Sequence, residues 1–117
     1  MNELAVEDCV RVDKHTPALS PETTAILFKR LSDWTIIDHN GIPALSKTFK
    51  FPNFNSALSF TNRVGQQAED QDHHPAILTE WGRVTVNWWT HVVHGLHRND
   101  FIMAARTEAV FQSFFSS

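Results

Sequence analysis

Three histidines carry the chemistry this chain can be read to perform: His73 and His74, adjacent and followed by Pro75, and His91, eighteen positions after the first. Imidazole titrates near pH 6.5, so at neutral pH one ring can donate a proton while another accepts one. A converging pair of such rings suits dehydration, in which a departing hydroxyl is protonated while a proton leaves elsewhere in the same molecule. Proton transfer of this kind contributes about 10²- to 10⁴-fold in rate. The competing reading is a solvated or purely structural histidine pair, which a surface His-His-Pro resembles equally well. His91, His94 and His97, with Glu69 or Asp100, also raise a metal site. Their spacing matches no recognised zinc pattern, and on a strand positions three apart face opposite sides.

Other chemistries find less support. Cys9 is the single cysteine and lacks a basic or histidine neighbour, which disfavours a reactive thiolate and excludes an internal disulfide. No Gly-x-Ser-x-Gly, Walker or dinucleotide fingerprint occurs, and four glycines leave little room for such loops. Arg63, Arg83, Arg98 and Arg106 are scattered rather than clustered. Trp88 and Trp89 read first as core or contact residues, with Trp89 the better candidate for a ring facing a ligand.

The elements that would position these residues can be read from pattern. Ser20-Pro21-Glu22 is a helix start, with a capping hydroxyl, a first-position proline and an acid in the first turn, and the helix runs to about residue 31. Residues 34–38 are strand-like and Asn40-Gly41 marks a hairpin turn. The second arm alternates Leu45, Phe49 and Phe51 against Ser46, Thr48 and Lys50, with Lys47 breaking the pattern once. Asn53 caps a helix carrying Phe54, Ala57, Leu58, Val64 and Ala68, ending near residue 70. Residues 76–81 and 84–92 form a second hairpin around Gly82, and a final helix spans about 100–115. The expectation is an α+β fold, α-β-β-α-β-β-α, with a four-stranded antiparallel sheet carrying three helices on one face.

Pairing centred on Gly82 sets His73 opposite His91, on the face of Thr85 and Asn87, while Val84, Val86 and Trp88 point toward the helices. A slip of one residue would undo that convergence.

The 117 residues fit one domain, with residues 1–19 a loosely ordered arm and 20–117 the folded unit. Nine Phe and four Trp supply a core without metal or disulfide, and the net charge of −3 disfavours nucleic acid or membrane as partners. The acidic N-terminal residues do not resemble a signal peptide and no apolar run would span a bilayer, so the cytoplasm is expected.

Residues 69–75 read EDQDHHP and are followed by Trp81, His91, Gly95-Leu96 and Asp100. This set, over about residues 20–110, resembles the signature of pterin-4a-carbinolamine dehydratases. The resemblance implies the same element order and assembly into homodimers or homotetramers. It implies dehydration of 4a-hydroxytetrahydropterin to quinonoid dihydropterin, recycling the pterin of aromatic amino acid hydroxylases, with no cofactor and no metal. His73 and His91 would be acid/base residues, and His74 would bind or help protonate the substrate. Glu69 and Asp100 would orient histidines or contact the pterin, and Asp72, Pro75 and Trp89 complete the implied substrate-binding set. Some members also take a regulatory protein partner. The chain departs from the pattern at His97, where many members carry Thr or Ser. Either Asn99 caps the last helix instead, or His97 contacts the ligand.

Overall fold

The computed structural model describes residues 2–115. Its elements are α1 (Pro21–Phe28), β1 (Thr35–His39), β2 (Ile42–Lys50), α2 (Phe54–Gln71), β3 (Ala76–Glu80), β4 (Arg83–Trp88) and α3 (Arg98–Ser113), with short 3-10 turns at Glu3–Val6 and His91–Val93. This is the expected element order. The Ser20 hydroxyl accepts the Thr23 N–H at 3.2 Å and Asn53 Oδ1 accepts that of Ser56 at 2.8 Å, so both helix starts rest on the caps read from sequence.

The strands form one antiparallel sheet in the order β1-β2-β4-β3. Asn40 and Gly41 both take positive φ, 52° and 87°, which matches the twist of the β1–β2 hairpin. At the second hairpin Gly82 has φ of 78° and a Cβ there would stand 3.3 Å from the Phe51 carbonyl oxygen, so glycine answers both a conformational and a steric demand.

Val84, Val86 and Trp88 are fully buried on the helix side of β4, joined by Leu45 and Phe49 from β2. Across from them lie Ala57, Phe60, Val64 and Ala68 of α2 and Phe101, Met103 and Ala104 of α3. Phe49, Phe51, Phe60, Phe111 and Phe114 pack ring against ring at centroid distances of 4.9 to 6.0 Å. Burying aromatic rings at this density is the main driving force for closing helices onto the sheet. Lys47, the break in the β2 pattern, does point to the helix side. Its ammonium pairs with Glu108 of α3 and donates to the Ser32 carbonyl at 3.0 Å, while Glu108 also accepts the Trp34 indole N–H at 3.1 Å. A charge can occupy that face because partners meet it there.

Residues 2–19, read from sequence as a loosely ordered arm, lie against the body of the domain. Leu4 is fully buried in the core, Arg98 and Arg106 bond to Glu7 and Asp8, and the Leu19 N–H donates to the Leu96 carbonyl at 3.0 Å. Their partners sit far away in sequence, so no local periodicity announces them.

Candidate active site

The β3–β4 register differs from the expected one. Glu80 pairs with Arg83 and Ala76 with Asn87, so the hairpin turns on Trp81-Gly82 rather than centring on Gly82. Extended, that register sets His73 level with Thr90, not His91. Neither histidine lies on a strand: β3 starts at Ala76, just after Pro75, and β4 ends at Trp88. The sheet-face convergence is therefore corrected. His73 and His91 instead line one cavity beyond the end of the hairpin, where loops replace strands.

His73 follows the C-terminus of α2. Asp72 takes a left-handed conformation, φ 51°, which ends the helix, and the His73 N–H closes back on the Ala68 carbonyl at 3.1 Å. The His73 ring lies parallel to the buried Trp88 ring, 5.8 Å between centroids with a 10° tilt. Its Nε2 stands 2.7 Å from Asp100 Oδ1. Asp100 is fully buried, and its other oxygen accepts the Thr90 hydroxyl at 2.8 Å and the His97 N–H at 2.9 Å. A carboxylate already holding two donors is an acceptor toward the third, so Nε2 carries the hydrogen and Nδ1 keeps the free lone pair.

His74 is exposed, and its Nε2 lies 2.6 Å from Glu69 Oε1. His91 opens the 3-10 turn after Thr90 and is also exposed, its ring 5.8 Å from that of His94. The strand breaks here because no neighbour continues past Trp88 on the β3 side, where Pro75 has no N–H to offer. A cavity of about 250 Å³ is lined by Val12, Asp72, His73, His74, Trp89, Thr90, His91 and Val92. It brings all three histidines together. A second cavity of about 510 Å³ shares Val12, Asp72 and His73 with it and continues along Cys9, Val10, Arg11, Gln71 and Asn99.

Of the residues singled out from sequence, His73, His74, His91, Asp72 and Trp89 line the first cavity, while Glu69 and Asp100 bond to histidines that line it. Pro75 is half-buried and lines neither cavity. Trp89 packs against His39, 4.0 Å between centroids with the rings tilted by 32°, a contact from the far hairpin that no spacing rule signals. Val12, Thr90 and Val92 were likewise missed, since an aliphatic or hydroxyl side chain in a loop carries no mark of chemistry. Cys9 is half-buried and burial pushes its thiol up to about 11, so it stays protonated at neutral pH. A cavity of about 460 Å³ between the Glu3–Val6 turn and α3 is lined chiefly by Ala5, Ala105 and Ala109, and its carboxylate, Glu108, is engaged by Lys47 and Trp34. Among the described residues no three His, Cys, Asp or Glu side chains group to hold a metal ion, and no helix is long and apolar enough to cross a membrane.

His97 caps α3 itself. Its Nδ1 accepts the Asn99 N–H at 3.0 Å while its own N–H donates to Asp100, a reciprocal capping box that replaces the hydroxyl of Thr or Ser. Asn99 is left for another task, described below. Burial holds the His97 pKa below its ordinary value of 6.5, with Asp100 opposing and His73 reinforcing that shift. A histidine depressed on folding binds its proton more readily in the unfolded chain. Its stabilising contribution is therefore complete above the ordinary value and is lost as pH falls through the folded one. His97→Ser, which keeps a capping oxygen without titrating, should lose less stability than the parent between about pH 7.5 and 5.5 when urea midpoints are compared.

Helix termini, sheet end and histidine–carboxylate pairs define a small α+β protein whose loops hold a cavity lined by three histidines. The sequence model of the family described as Pterin 4 alpha carbinolamine dehydratase matches residues 17–110, and the chain belongs to that family. It is 49% identical over 112 residues to a protein of Microcystis aeruginosa and 46% identical over 112 residues to one of Chlorobium luteolum, alignments that cover 96% of this chain and 97% and 98% of those. Both carry the name pterin-4-alpha-carbinolamine dehydratase provisionally. The Microcystis alignment leaves only a few residues out, so it takes in residues of the arm that the family match does not reach. A solved structure from Brucella melitensis, described as a transcriptional coactivator/pterin dehydratase, superposes with a TM-score of 0.73 at 30% identity over 80% of this chain and 97% of its own. A pterin dehydratase-like protein identified as a RuBisCO assembly factor in the alpha-carboxysome superposes with a TM-score of 0.57 over 68% of this chain and 89% of its own, and at 20% identity that likeness concerns the fold alone.

Proposed function

We propose that the chain dehydrates 4a-hydroxytetrahydropterin to quinonoid dihydropterin by histidine acid/base catalysis, and so returns the pterin oxidised by aromatic amino acid hydroxylases. The observation that carries this reading is the single cavity on which His73, His74 and His91 converge, with His73 oriented by the buried Asp100. The C4a hydroxyl is a poor leaving group until protonated. One imidazolium donates that proton and the C4a–O bond breaks with loss of water. The N5 lone pair forms the new C=N bond, and a neutral imidazole takes the N5 proton. The protons balance, and the pair of rings ends with its charge states exchanged, to be restored through solvent. Trp89 offers an aromatic face to the bicyclic ring.

The same reading carries a homo-oligomer, since Leu78 and Ile36 on the two edge strands are exposed aliphatics. A sedimentation velocity run distinguishes one, two and four copies. The function itself is tested by stopped-flow absorbance of carbinolamine decay with purified protein. Decay accelerated well above the spontaneous rate supports it, and an unchanged rate rejects it.

A further inference from the structure

The arm reaches the site. Arg98 grips the Glu7 carboxylate at 2.8 and 2.6 Å, and Arg106 donates to the Glu7 carbonyl at 3.0 Å and to Asp8 at 3.0 Å. Gln71 uses both ends of its amide, accepting the Cys9 N–H at 2.7 Å and donating to Asp8 at 3.1 Å. Asn99 does the same for Val10, accepting its N–H at 3.0 Å and donating to its carbonyl at 2.8 Å, as a neighbouring strand would. Downstream the chain is tied again at Leu19. Between these attachments lie Arg11 and Val12. Arg11 lines the 510 Å³ cavity, and Val12 lines both cavities.

The larger cavity has an uneven supply of free polar groups. The Gln71 and Asn99 side chains are occupied by the arm. The guanidinium of Arg11 and the carboxylate of Asp72 have no hydrogen-bond or ion-pair partner among the described residues. An available donor and an available acceptor therefore line one chamber, which shares Val12, Asp72 and His73 with the histidine cavity. The 250 Å³ cavity can hold a ring system against the histidines, and what hangs from that ring must pass into the neighbouring space or into solvent.

Resting on the dehydratase reading, we propose that residues 9–12 of the arm build a substituent chamber that selects pterins with a hydroxylated side chain on the reduced ring. Arg11 donates to the side-chain hydroxyls and Asp72 accepts from them. A hydroxyl is both donor and acceptor, so it can satisfy both groups at once, whereas an alkyl group satisfies neither. Arg11 is a specificity-determining residue in this arrangement and takes no part in proton transfer. It lies outside residues 17–110, the part matched by the family, so the selection is a property of chains that carry the arm.

The test compares two carbinolamine substrates, one with a dihydroxypropyl chain and one with a methyl group at the same ring position, in the parent protein and in Arg11→Ala and Arg11→Lys. Arg11→Ala should raise KM for the dihydroxypropyl substrate about tenfold, the loss of one charge-assisted hydrogen bond. KM for the methyl substrate and kcat on both should stay within about twofold, and Arg11→Lys should recover part of the loss. Arg11 is exposed, so an unchanged melting temperature is expected in both variants. Equal effects on the two substrates, or none on either, would overturn the chamber while leaving the dehydratase intact, as would parent activity confined to the methyl compound. A parent protein that accelerates neither decay would overturn both.

Discussion

His73→Ala and His91→Ala, made singly, are each expected to lower kcat for carbinolamine loss by about 10²-fold or more, with a much smaller change in KM. The rings serve the proton transfers more than ground-state binding, which the cavity walls provide. The double variant should fall little below the worse single one, because a donor and an acceptor used in one turnover fail together. Near-parent activity in both single variants would reject the assignment. Removing His73 leaves Asp100 with two of its three donors, so the effect on rate should greatly exceed the effect on folding.

Asp100→Ala should do both kinds of damage. The carboxylate is fully buried and holds His73 from α2's end, Thr90 from the end of β4 and the backbone of His97 at the start of α3. Truncation strands three donors at once. With about 1–3 kcal/mol for each unsatisfied buried group and partial relief by entering water, stability should drop by about 3–5 kcal/mol in urea unfolding. Activity should fall too, since nothing then holds His73 with Nδ1 free. Asp100→Asn separates the two effects. Its amide oxygen, set where Oδ2 stands, can still accept both the Thr90 hydroxyl and the His97 N–H, so much of the stability should return. Its NH₂ cannot accept and turns toward one of the donors, so His73 should be pushed to the other tautomer and the rate should stay low. If Asp100→Ala unfolded at the parent's urea concentration, the three-way junction would not be what joins helix, sheet and site.

Much of the fold is legible in the sequence. Ser20 and Asn53 announced two helix starts, Asn40-Gly41 a hairpin, and the alternation of Val84, Val86 and Trp88 the buried side of β4. Each of these is a local matter, set by the φ and ψ a residue tolerates or by the period with which side chains emerge. Lys47 shows where that reasoning stops. Its misfit with the pattern was visible, but its partners come from α3 and the α1–β1 loop, and only the folded chain supplies them.

What the sequence by itself determined is the element order and the closeness of His73, His74 and Glu69, which a few residues of backbone enforce at the end of α2. Tertiary structure decided the rest. A two-residue turn at Trp81-Gly82 shifts the hairpin register and places the cavity shared by the histidines at the end loops rather than on the sheet face. The bond from His73 to Asp100 spans twenty-seven positions, and the arm's clamp on Asn99 spans eighty-nine. Contacts at such separations follow from how helices and strands pack in three dimensions, where each pairing is a small difference between competing arrangements and leaves no periodic trace along the chain.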